Sequence, residues 1–168
     1  MKNTFYEIPC EELGNAQKLI GKDWMLITAR DGEGANAMTA SWGGLGVLWN
    51  KPVCICFIRP QRYTYGLVED SDRISIAFMS EKYRDALKFC GSRSGAEGDK
   101  LKRAGLSSAE LDGVPVIAEA DTILICRKLY CSDLCEKSFE DKSLLSNYKD
   151  GDFHRQYVLE IEKVYKRR

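Results

Sequence analysis

NAMTASWGG, residues 36–44, is a run of small and hydroxyl-bearing side chains closed by a tryptophan and two glycines. A strand that only fills a core carries Val, Ile and Leu on its buried face, whereas this one offers Asn36, Thr39 and Ser41, three short hydrogen-bonding groups. Something flat and polar can rest on such a surface. The plainer alternative is a half-exposed strand that ends in a glycine turn.

The flanking segments decide the fold class. WMLITAR (24–30) reads as a strand, ARDGEGA as a turn and AMTASW (37–42) as a second strand, so the two form an antiparallel hairpin or meander. PVCICFI (52–58) is a third, nearly all-apolar strand. RYTYGLVEDS has helical spacing at Tyr65, Val68 and Ser71 and leads into RISIAF (73–78), a fourth strand. In EKYRDALKFCG, Tyr83, Ala86, Leu87 and Cys90 share one helical face, with Gly91 as the stop, and GDKLKRAG is a further helical turn or two. ADTILICRKLYCSDL and FHRQYVLEIEKVY are long β segments, and the spacing of Val158, Ile161 and Val164 predicts a bulge in the last one. Mostly antiparallel β with few helices predicts a Greek-key barrel rather than a doubly wound sheet.

Composition bounds the function. At 168 residues and 44% apolar content the chain is one domain long, and its 25 basic and 25 acidic residues cancel. No net field favours nucleic acid or an anionic membrane, and a small neutral ligand or partner fits better. No apolar run reaches a bilayer-spanning length, and MKNTFYEIPCEE lacks the regions of a signal peptide, so a cytoplasmic protein is expected. Seven cysteines form an odd set, against a disulfide scaffold. Cys54 and Cys56 alternate in VCICFI and read as small buried hydrophobes. A metal site from Cys126, Cys131, Cys135 and His154 is the sharper possibility, but its spacings do not match the paired pattern of structural zinc, and no metal is expected.

No dinucleotide fingerprint or P-loop is present, and one histidine leaves no evident nucleophile, base and orienter set. Chemistry is therefore expected from a cofactor. Besides NAMTASW, two polar clusters stand out. RPQRYT (59–64) sets Arg59, Arg62 and a hydroxyl at the end of an apolar strand where a helix begins, which suits a phosphate or, more simply, a solvated strand end. CGSRSGAEGDK (90–100) is a Ser/Gly loop followed by Lys100, able to wrap a phosphate but also typical of a flexible surface loop.

Taken together, NAMTASWGG, RPQRYT, FCGSRSG with Lys100, and FHRQYVLEIEKVY resemble the flavin reductase-like, FMN-binding split-barrel proteins, most closely of the flavoredoxin type, over about residues 20–165. The resemblance implies a single FMN-binding domain: a mainly β, six-stranded antiparallel Greek-key split barrel with a few short peripheral helices, forming a homodimer. It implies that Asn36, Ala37, Met38, Thr39, Ser41 and Trp42 border the isoalloxazine and ribityl of FMN, with the Thr39 and Ser41 hydroxyls bonding the ring edge. Arg59, Arg62, Tyr63, Thr64, Ser92, Ser94 and Lys100 would lie near the phosphate. Ala96 and Glu97 stand where many relatives carry an arginine and an aspartate, which removes one phosphate-side contact of that kind. His154 opens the matching last strand, either as an exposed strand-start histidine or as a proton donor or substrate-orienting group.

Two functions follow from that resemblance. One is an oxidoreductase taking hydride from NADH or NADPH onto FMN and passing electrons to free flavin or another acceptor. The other is a flavoredoxin-like electron carrier reduced by a partner protein. An FMN-bound sensor is a third.

Overall fold

The computed structural model describes residues 4–168. The chain opens with β1 (Phe5–Ile8) and a single π-type helical stretch, Gln17–Asp23, that leads into β2 (Met25–Asp31). A tight turn at Gly32 returns it as β3 (Gly34–Ala40), in register from Met25 opposite Ala40 to Asp31 opposite Gly34. Strand β4 (Gly43–Leu48) pairs with β5 (Lys51–Ile58), then come α1 (Tyr63–Glu69), β6 (Arg73–Phe78), α2 (Arg84–Ser92) and α3 (Lys100–Arg103). A small hairpin, β7 (Ser108–Leu111) and β8 (Val114–Ile117), precedes the two long strands β9 (Thr122–Asp133) and β10 (Arg155–Arg167).

The main sheet is antiparallel, in the order β3-β2-β6-β9-β10-β5-β4, with β1 added to β10. Its two ends, β3 and β4, are joined only through Ser41 and Trp42, which leaves the barrel split at that point. The mainly β, antiparallel class agrees with the sequence, but the main sheet has eight strands rather than six. The glycine-rich GGLGVL, not marked as a strand in the sequence, is β4. It closes on β5 through Trp49 and Asn50, both with positive φ (53° and 57°), the pattern of a two-residue hairpin turn matched to sheet twist. The β7–β8 hairpin turns the same way at Asp112-Gly113.

Strand pattern sorts the side chains onto two apolar clusters. Met25, Ile27, Ile74, Ile76, Leu124 and Cys126 point into the barrel. Their sequence neighbours Leu26, Ala77, Ile123 and Ile125 point outward, where α2, α3 and β7–β8 cover them. A period of two therefore fills both faces, and these strands read as continuous apolar runs. Cys54 and Cys56 are buried in the barrel, and burial pushes the Cys54 thiol up to about 12. In β10 the pairing with β9 slips between Val158 and Leu159 and again between Ile161 and Lys163, the irregularity its spacing predicts.

The helix read over 81–91 begins as a 3-10 turn, Glu81–Tyr83, and its α-helical part runs past Gly91 to Ser92. Gly91 does not stop it, because its backbone is not in the left-handed conformation that ends a helix at glycine; it faces β3, where a Cβ would lie 3.4 Å from Thr39 Cβ. Likewise Ser41 and Trp42 lie beyond the end of β3 instead of inside a strand, since the chain must turn there to cross to β4.

Candidate functional site

The motifs converge where β3 ends, beside α1, α2 and the start of β10. Met38, Thr39, Ser41 and Trp42 line one cavity of about 260 Å³ together with Ala40, Phe57, Arg59, Arg62 and His154. A second cavity, also about 260 Å³, is lined by Arg62, Tyr63, Thr64, Ser92, Ser94 and Lys100, with Gln61, Arg93, Gly95 and Glu97. Arg62 belongs to both. It is held by the C-terminal carbonyls of α2, donating from Nη1 to Gly91 O over 2.8 Å.

Lys100 is the electrostatic oddity of the second cavity. Its side chain is buried, yet its one side-chain hydrogen bond among the described residues is a long donation to Arg93 O, 3.4 Å. No carboxylate pairs with Lys100, Arg62 or Arg93 among the described residues. Burial lowers the Lys100 ammonium from its ordinary range; nearby Cys90 and Glu97 oppose this, whereas Arg62 adds to it. Burial likewise lowers Arg62. A buried ammonium beside a half-buried guanidinium, with no carboxylate paired to either among the described residues, is costly and fits an anion with several acceptor oxygens. Glu97 shapes the loop around them: in a capping box, Ser94 Oγ accepts from Ala96 N while Glu97 accepts from Ser94 N.

The polar residues of β3 are partly spent on structure. Asn36 donates from Nδ2 to Thr64 Oγ1, both residues buried. Thr39 Oγ1 donates to Leu87 O over 2.6 Å, so its proton is not free for a ligand, unlike that of Ser41. Ala37 is fully buried with its side chain in the outer apolar cluster, and it can meet a ligand only through its backbone. Asn36 and Ala37 thus line neither cavity.

Arg59, grouped by sequence with the phosphate residues, lines the Trp42 cavity rather than the Lys100 cavity. An ion pair with Asp152 and a donation from Nη2 to Asn147 O, 2.9 Å, draw its guanidinium toward the segment before β10. His154 is buried, with its ring centroid 5.1 Å from that of Trp42. Burial, then Arg59, bring its pKa down to about 4, with Asp152 opposing, so the imidazole is neutral near pH 7. Cys126, Cys131 and Cys135 do not gather around it, and among the described residues no three His, Cys, Asp or Glu side chains could hold a metal ion. Gln61, Arg93 and Gly95 lie inside motifs already marked by sequence. Phe57 follows VCIC unmarked, and Asp152 and Tyr148 gave no signal, because their partner Arg59 is about ninety residues away in the chain.

Residues 19–166 match the model of the flavin reductase like domain. No curated protein sequence matches the chain. Among solved structures, an FMN-binding domain of flavin reductases-like enzyme from Shewanella baltica OS155 is 19% identical, with a TM-score of 0.69 over 96% of this chain and 76% of that one. An FMN-binding protein from Thermus thermophilus is 24% identical (TM-score 0.66; 85% and 69% covered). A flavoredoxin from Methanosarcina acetivorans is 21% identical (TM-score 0.65; 86% and 68%). Identities this low bear on the fold, whereas the domain match spans most of the sequence: the chain belongs to the flavin reductase-like domain family.

Proposed function

We propose that the chain is an FMN-binding oxidoreductase, in which bound FMN supplies reversible hydride and electron chemistry between NADH or NADPH and free flavin or another acceptor. The observation that carries this reading is a buried cation, Lys100, and a half-buried one, Arg62, unmatched by any carboxylate among the described residues beside a cavity walled by Trp42 and His154. Lys100, Arg62 and the Ser94 hydroxyl would hold the phosphate dianion with charge-assisted hydrogen bonds. The small residues at the end of β3 let backbone approach a flat ring, and Ser41 can bond its polar edge. The T. thermophilus neighbour is described with 1-cyclohex-2-enone bound, and a small planar carbonyl compound is one class of acceptor that the Trp42 cavity suits.

The protein acts as a homodimer in this reading. Strand β4 and its turn carry no charge, and Trp42, Val47, Leu48 and Trp49 are exposed together. A monomer with that uncharged edge invites association. Seven free thiols favour the cytoplasm as its compartment.

Anaerobic stopped-flow mixing of the FMN-loaded protein with NADH and with NADPH tests the activity. Bleaching of the flavin absorbance within seconds by either nucleotide supports the reductase. Reduction over many minutes by both, but quickly by a reduced redox protein, would instead favour the flavoredoxin-like carrier. Protein that stays colourless after incubation with FMN, or that releases FAD on denaturation, would overturn the cofactor assignment.

A further inference from the structure

His154, the one histidine of the chain, faces two ways. Its Nδ1 lies 3.0 Å from Tyr148 Oη, and its ring lines the cavity beside Trp42. Tyr148 is buried and rigidly held, stacked on Phe153 at 4.8 Å between centroids with planes 19° apart. The Arg59 guanidinium covers its ring at 5.3 Å, and Phe139 meets it edge-on at 5.7 Å.

A neutral imidazole carries its proton on one nitrogen only, and the partner of the other nitrogen decides which. Tyr148 keeps its phenolic proton, because burial raises its pKa, with Asp152 adding and Arg59 opposing. His154 Nδ1 is the one hydrogen-bond partner of that hydroxyl among the described residues. If Nδ1 carried the proton and donated, the phenolic proton would be left without an acceptor inside the protein, at a cost in stability. Hence Oη donates and Nδ1 accepts. Nε2 then bears the hydrogen. It has no partner among the described residues, and it is not sealed from solvent as Thr28 Oγ1, Ser80 Oγ and Asp152 Oδ1 are.

We propose that Tyr148 is a positioning residue that fixes His154 as the Nε2–H tautomer and so presents a neutral hydrogen-bond donor to the Trp42 cavity. The charged groups that face this pair are Arg59 and Asp152, which are ion-paired with each other, so the imidazole has no carboxylate of its own to turn it into a cation. The donor suits a carbonyl or other uncharged acceptor oxygen on whatever occupies the cavity. That last step rests on the oxidoreductase reading given above; the tautomer does not.

A single histidine makes the test clean. In protein labelled with 15N-histidine, long-range 1H–15N spectra report the protonation of each ring nitrogen, with and without FMN. At pH 7.5 the expected pattern is one species, Nδ1 bare and Nε2 protonated. Tyr148→Phe keeps the stack on Phe153 but removes the hydroxyl, and the Nε2–H to Nδ1–H ratio should fall about five-fold, the loss of one ordinary hydrogen bond. Near-UV circular dichroism verifies that the variant retains its packing. If it does not fold, the wild-type spectrum alone decides. A wild-type Nδ1–H species, a mixture of tautomers, or a folded Tyr148→Phe variant with an unchanged spectrum would each overturn the proposal. Because the flavin-free spectrum is sufficient, its failure leaves the cofactor assignment standing, and failure to bind FMN leaves the tautomer result standing.

Discussion

Asn36 Nδ2 donates to Thr64 Oγ1 over 2.7 Å, and this buried bond ties β3 to the first turn of α1. Gly95 is seated against it. A Cβ on Gly95 would run into the Tyr63 ring and come within 2.6 Å of Asn36 Oδ1. The three motifs found in sequence, 36–44, 59–64 and 90–100, therefore meet at one seam.

Substituting Gly95→Ala should open that seam. Asn36 is buried and hydrogen-bonded and cannot swing away, so the expected loss is about 1 to 3 kcal/mol of stability, the usual cost of overpacking. Urea denaturation measures this, and FMN affinity, read by quenching of flavin fluorescence, should weaken with it. Unchanged values for both would mean that the loop shifts freely.

Lys100→Met separates the phosphate role from a structural one. Replacing a buried, unpaired ammonium by an apolar side chain of similar length should leave the flavin-free protein equally stable or slightly more so. FMN binding should weaken by about 1.5 to 3 kcal/mol, since a charge-assisted hydrogen bond is lost. Intact FMN affinity would remove Lys100 from the site.

His154 predicts a pH dependence with a definite sign. Its folded pKa is about 4 against an ordinary 6.5, so between those values the unfolded chain binds more protons and stability rises with pH. The contribution is complete above about pH 6.5 and is lost as pH falls toward 4, roughly 3 kcal/mol in all. Carboxylates with depressed pKa values, such as Asp152 beside Arg59, lose their contribution only at lower pH. The window is therefore readable as the difference in unfolding free energy between wild type and His154→Asn at pH 7 and pH 5. A difference that does not change would mean that His154 titrates normally.

Val47 is 77% exposed near the end of the uncharged edge strand β4. If the subunits pair as proposed, Val47→Lys should leave a monomer, read by light scattering at micromolar concentration, with stability of the subunit altered by no more than about 0.5 kcal/mol. A wild-type monomer with FMN bound would count against the dimer itself.

Alternation and turn residues made β2, β3, β5, β6, β9 and β10 legible in sequence, because a period of two and a glycine turn are local properties. Strand β4 was not, since GGLGVL is half glycine with Val47 its one β-branched residue; its strand character comes from pairing with β5. Strand β1 was missed for the same reason: Phe5–Ile8 acquires its conformation from β10.

For the site, sequence alone marked the segments whose polar groups suit a phosphate and a flat polar partner, because residue type and loop composition are written locally; the flavin came from the family resemblance. Only the tertiary structure decided how each group is used. Thr39 gives its proton to Leu87, Arg59 is drawn away by Asp152, and Asn36 braces Thr64. Lys100 is left buried and uncompensated, and Tyr148 meets His154. These outcomes depend on distances between segments far apart in the chain and on the loss of water around them, and neither quantity exists until the strands have packed.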